Sequence, residues 1–248
     1  MPDFLDTLES FVGNTPWKVG TIRYEENILE LCYVLNLVLP SENAGLEEPA
    51  ESVTAEAKQS LRFKESWLPD HQNSAPDLSS FYESASVLIY SSSGPLSSPE
   101  IPSMFVISDS GMPYEIVRSA VETSAKKAFG DVEFHISLGQ VSMAGWRSVL
   151  LYLEHLVSRL TRHQRKNPFK GENFEQISDE LDHASEDLHL NAEAMRLLKH
   201  AFSETTYDER SPKTLLRAII DLEYNFMIMW EKAKELQKKV AAAKSDVW

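Results

Sequence analysis

Glu180–His183 and Glu186–His189 form two Glu-x-x-His steps six residues apart. On a helix, a carboxylate and an imidazole at this spacing share a face, and helical bundles present ligands to paired metal ions in this way. Such a centre needs the steps on different helices, turned inward, with further carboxylates opposite. Here both lie on one run, beside the apolar row Leu181, Ala184 and Leu188, and the other apolar rows lack facing carboxylates. The reading is solvated helix charge, so neither a metal nor a cofactor is expected. Arg159–His163 and Arg196–His200 each set an arginine one helical turn from a histidine. His163 falls on an apolar row, where it reads as a buried or capping side chain.

A second kind of chemistry is offered by Ser108-Asp109-Ser110-Gly111, a turn ahead of a helical pattern. Backbone N–H groups at such a turn can hold an anion. Asp109 and Ser110, with His135 further on, define an alternative reading: an enzyme of unfamiliar type, with its site between an α/β unit and a helical bundle. No phosphate-binding Gly-Lys-Ser/Thr loop, Gly-x-Ser-x-Gly, His-Glu-x-x-His or Gly-x-Gly-x-x-Gly occurs. Cys32, the one cysteine, sits in an apolar run and reads as an inert core thiol.

The elements that would position these groups follow from periodicity. Residues 17–24 read as a strand, with 25–27 as a hairpin turn into 28–39. In that second run Leu29, Leu31, Tyr33, Leu35, Leu37 and Leu39 alternate with Glu30, Cys32 and Asn36. Residues 61–67 and 81–90 read as further strands, and 2–12 as a short amphipathic helix. Flexible loops are expected at 40–58, which is acidic, and at 91–103, which is rich in serine and proline. Met104 to Leu138 reads as strand, helix and strand, the last being Asp131 to Leu138, where Val132, Phe134, Ile136 and Leu138 alternate with polar residues. This unit has the form of a parallel crossover.

From Gly145 the pattern is helical. Leu215, Ile219, Leu222, Phe226, Met229, Ala233, Leu236 and Val240 keep a 4, 3 spacing for more than three heptads. Leu216, Ile220, Met227 and Trp230 widen that stripe. Shorter seams run over 146–163 and 173–204. The expectation is an α+β protein: a mixed α/β domain over 1–140, followed by an antiparallel three-helix bundle over 141–248 with coiled-coil-like seams.

The chain has 248 residues, 38 acidic against 24 basic, for a net charge of −14. That balance disfavours general phosphate-backbone binding. The acidic opening MPDFLDTLESF shows no signal-peptide pattern, and no run spans a bilayer. A soluble, cytoplasmic protein without membrane contact is therefore expected. In an up-down-up bundle the ends of the first and third helices come together. Arg162, Arg165, Lys166 and Lys170 would then join Lys234, Lys238 and Lys239 in a basic pole. The functional expectation is a non-catalytic macromolecular interaction protein, such as an adaptor, inhibitor or immunity-type protein. It would bind a protein partner through the bundle or the acidic surface. Nucleic acid would bind only through the basic pole, and the seams could also take a second copy.

Overall fold

The computed structural model describes residues 20–25, 28–40, 82–93, 103–108, 114–124, 130–163, 172–204 and 213–245. Among the described residues four strands, β1 (Gly20–Glu25), β2 (Ile28–Pro40), β3 (Tyr82–Ser93) and β4 (Ser103–Ser108), form one sheet in the order β1-β2-β3-β4. The helices among the described residues are α1 (Tyr114–Ser124), α2 (Gly130–His163), α3 (Glu172–Glu204) and α4 (Lys213–Ser245). The class is α+β, with most of the described residues helical.

Two compact units divide the chain. The first joins Met1–Leu37, Ala85–Met143 and Leu188–Met227. In it, β1 and β2 form the expected hairpin, running antiparallel from Glu25↔Ile28 to Gly20↔Tyr33. β3 and β4 pair antiparallel from Val87↔Ser108 to Ser92↔Ser103. Leu31 to Leu37 are all buried, as are Val87 to Ser91. A strand covered on both faces needs apolar residues at nearly every position, and both strands supply them. Phe134, Leu138, Met195, Leu198, Ile219, Leu222 and Phe226 complete this core. Each such side chain contributes about 1.5–3 kcal/mol by leaving water.

The second unit joins Val38–Ser84, Ala144–Asp187 and Ile228–Trp248. Trp146, Val149, Leu153, Phe174, Ile177, Leu181, Met229, Ala233, Leu236 and Val240 are buried here, at the heptad spacing of their helices. Gln237 Nε2 donates to Asp182 Oδ1 at 2.6 Å, and Lys244 Nζ approaches Glu175 Oε1 at 3.3 Å. Higher numbers on α4 meet lower numbers on α3, so these segments run antiparallel. Lys232 Nζ bonds Glu154 Oε1 at 2.6 Å and ties α4 to α2.

Several expectations are corrected. Asp131 to Leu138 is helix, the opening of the 34-residue α2. The strand–helix–strand crossover therefore does not form. The misleading alternation has a physical cause: Val132, Phe134, His135, Ile136, Leu138 and Gly139 are all buried. A helix covered on most sides needs no polar face, so its 3.6-residue period is erased. Residues 140 and 141 both lie within α2, and helix α1 ends at Ser124. Residues 91–93 belong to β3 and 103 to β4, which shortens the expected loop. Residues 173–204 form one helix. The readings over 2–12, 40–58 and 61–67 concern residues outside the described set, apart from Pro40 at the end of β2.

Two glycines let α2 pack closely. A Cβ on Gly145 would stand 2.9 Å from Val38 Cβ and 3.1 Å from its carbonyl oxygen. A Cβ on Gly139 would stand 2.9 Å from Leu222 Cδ1 and 3.2 Å from Met195 Sδ. The first obstacle is strand backbone, and the second is the ends of flexible side chains. Gly145→Ala is expected to lower the unfolding free energy by about 1–2 kcal/mol, the clash exceeding the helix-propensity gain. Gly139→Ala is expected to stay within about 1 kcal/mol of the parent, because Leu222 and Met195 can swing aside. Urea titration of the two variants checks the contrast, and equal losses would remove it.

Candidate functional site

The basic residues that sequence grouped together have different fates. Lys234 Nζ lies over the Trp230 ring, 3.4 Å from its centroid. Lys239 bonds Glu235 at 2.6 Å, one turn back on the same helix. That bond holds the Glu235 carboxyl below its usual range. Lys238 is exposed on a shallow groove lined also by Ile228, Glu231, Lys232 and Glu235. The hydrogen bond to Glu154 holds the Lys232 ammonium above its ordinary value. Lys232, Lys239 and Lys244 thus each have a carboxylate partner, which offsets much of the positive charge on this end of α4. Arg162 lies in the last turn of α2, its side chain outside the described set, as are Arg165, Lys166 and Lys170.

His135, expected on a strand, stands on α2 and is fully buried. The Tyr33 hydroxyl lies 2.6 Å from its Nδ1. The rings of Tyr33, Phe134 and Phe202 surround it at 5.5, 5.6 and 6.1 Å between centroids. When the phenol donates to Nδ1, the imidazole proton sits on Nε2, which has no hydrogen-bond partner among the described residues. Desolvation holds the imidazole down at about 3 and raises the Tyr33 phenol well above its usual range. A neutral imidazole enclosed by aromatic rings is a packing group with one orienting hydrogen bond. Asp109 and Ser110 lie outside the described set.

The Glu-x-x-His steps are also placed. Glu180 accepts a hydrogen bond from the Tyr82 hydroxyl, while His183 and His189 are exposed. Burial and the Glu180 carboxylate together raise the Tyr82 phenol. Among the described residues no group of three or more His, Cys, Asp or Glu side chains is arranged to hold a metal ion.

Sequence reasoning did not find the buried knot around Asn36. The Asn36 backbone N–H donates to Asn191 Oδ1 at 2.7 Å, and Asn191 Nδ2 returns a bond to the Asn36 carbonyl at 2.9 Å. Ser142 Oγ donates to that same carbonyl at 2.7 Å and receives a second Asn191 bond at 3.0 Å. Ser86 Oγ donates to Asn36 Oδ1 at 2.7 Å. The detectable signal was an amide inside each of two apolar runs. Two long-range buried amides cannot be paired from spacing alone.

Surface chemistry is the remaining feature. Leu151 on α2 is 62% exposed, and Ile220, Tyr224 and Ile228 on α4 are 42%, 66% and 49% exposed. Ile220 was expected to widen the buried stripe, and instead it faces solvent. Among the described residues no helix is long and apolar enough to cross a membrane. Neither the family models nor the curated proteins contain a match to this chain.

Two expectations follow from the buried polar groups. Asn191→Ala removes the acceptor of the Asn36 N–H in the core and should lower the unfolding free energy by about 1–3 kcal/mol. Ser86→Ala should have a smaller effect, since Asn36 Oδ1 is a side-chain acceptor. Urea midpoints of the two variants test this order.

For His135, the folded value of about 3 lies below the ordinary imidazole value of 6.5. The unfolded chain therefore takes up this proton first as pH falls. Stability from the neutral imidazole is complete above pH 6.5 and declines by about 1.4 kcal/mol per pH unit down to about 3. His135→Gln should flatten the loss of stability between neutral and mildly acid pH by the equivalent of one proton. An unchanged slope in urea titrations at stepped pH would refute this origin.

Proposed function

We propose that the chain is a non-catalytic protein-binding module, with its three long helices forming an antiparallel bundle that presents the binding surface. The observation that carries this reading is the apolar set Ile220, Tyr224 and Ile228, standing in water at 42–66% exposure on α4. These positions are spaced i, i+4, i+8, so they form one stripe along the helix. Exposed apolar side chains occur singly on any surface, but a contiguous stripe rimmed by charge is the usual mark of a docking face. Arg217 and Glu231 supply such a rim at either end. Helix-in-groove and helix-on-helix partners read anchors at this spacing. The setting is charged but mixed: α4 carries seven basic and four acidic side chains, while α3 carries nine acidic and two basic. A protein partner with an amphipathic helix suits that surface better than a polyanion. The reading implies an aqueous, cytoplasmic setting for the partner.

The test uses a photoreactive benzoyl-phenylalanine placed singly at Tyr224, Ile228 or Ser203 in the full chain, with irradiation in cells. Ser203 is exposed on α3 and serves as the control position. Protein adducts at Tyr224 and Ile228 and none at Ser203 are the expected result. Absence of adducts at both α4 positions would sink the reading.

A further inference from the structure

Along the exposed side of α4, Lys213, Arg217, Ile220, Tyr224, Ile228, Glu231 and Glu235 are spaced 4, 3, 4, 4, 3, 4. That series reads the same from either end, with Tyr224 at its centre. At ~100° per residue the seven positions fall within about 80° of the helix circumference and cover about 33 Å of its length. The chemistry of the series is complementary under reversal. Two basic residues stand at one end, two acidic residues at the other, and three apolar ones lie between.

We infer that this face pairs antiparallel with the same face of a second copy of the chain, with Tyr224 on the two-fold axis. This names the partner for the docking face proposed above and rests on that reading. A two-fold operation about Tyr224 sets Ile220 against Ile228 of the second copy, Arg217 against its Glu231, and Lys213 against its Glu235. Each contact occurs twice, as an isologous interface requires. The apolar layer forms the centre of the patch and the ion pairs form its rim.

Charge complementarity favours this occupant over an unrelated helix. Arg217 and Glu231 are both exposed and lie 14 residues apart, about 21 Å along one helix, so they cannot satisfy each other within one chain. A parallel copy would set Arg217 on Arg217 and Glu231 on Glu231. The outer pair is the weaker one, because Glu235 already bonds Lys239. The shallow groove lined by Ile228, Glu231, Lys232, Glu235 and Lys238 lies at one end of the series.

Sedimentation equilibrium of the full chain across a wide concentration range tests the inference. The expected result is a reversible monomer–dimer equilibrium. Tyr224→Glu, which places two carboxylates on the axis, should weaken it by at least about 100-fold, with the far-ultraviolet spectrum unchanged. Arg217→Glu and Glu231→Arg should each weaken it by about tenfold, and combining them should restore the parent constant to within about twofold. Cysteine placement reads the register independently, since Cys32 is buried. Tyr224→Cys should oxidise to a linked dimer. Ile220→Cys and Ile228→Cys should link when mixed and not alone. Self-linking of Ile220→Cys alone, or no rescue in the double variant, overturns the antiparallel pairing. A monomer at every concentration, together with a photo-adduct to a different protein at Tyr224, overturns self-pairing and leaves the docking face in place. A monomer with no adduct overturns both.

Discussion

A buried strand that outruns its neighbour must find other partners for its backbone. β2 is 13 residues long and β1 only six, and their register ends at Gly20↔Tyr33. Among the described residues the β1–β2 register stops at Tyr33, and Leu35, Asn36 and Leu37 beyond it are buried. An unpaired peptide group in the core is among the more destabilising defects a fold can hold. Asn191 resolves it by offering its carboxamide, a peptide in miniature, to both backbone groups of Asn36. Ser142 fills the second lone pair of the carbonyl. α2 and α3 are thereby keyed to one residue of the sheet, and apolar packing alone would allow neighbouring registers.

The same core explains the state of His135. Once α2 and α3 are held against the sheet, the imidazole has Tyr33, Phe134 and Phe202 around it and one hydrogen bond. Burial desolvates the imidazolium, so the neutral form persists far below the usual range. A general acid–base needs a value near the working pH and access to its proton partner. The environment that makes His135 a good spacer in the core makes it a poor acid–base group at neutral pH.

How much of this was legible in the sequence depends on whether local periodicity and tertiary burial agreed. The β1–β2 hairpin was readable because a turn separates two short-period runs. The α4 seam was readable because it repeats for more than three heptads. Asp131 to Leu138 was not readable, because burial on most sides removed the polar positions that mark a helix. Gly145 misleads for a related reason. Gly145 reads as the edge of a helical pattern, yet it lies inside α2, where the absent side chain admits Val38. The Asn36–Asn191 knot spans 155 residues of sequence. Its members are visible one at a time as polar breaks in apolar runs, but their pairing follows only from the fold.

Helix α4 carries two stripes with different tasks. Its a/d row, from Ile219 through Leu222, Phe226, Met229, Ala233 and Leu236 to Val240, is buried. That burial holds whichever molecules surround the chain, because it is satisfied internally. Ile220, Tyr224 and Ile228 form the second stripe, and nothing in their own helix repeats them as a longer seam. A sequence selected only for internal packing would favour charged side chains at these positions, since each exposed apolar group invites non-specific association. Arg217 and Glu231, exposed at the two ends of the stripe, limit that risk. Opposite charges at the two ends of an apolar stripe would disfavour a neighbour that sets like charges together.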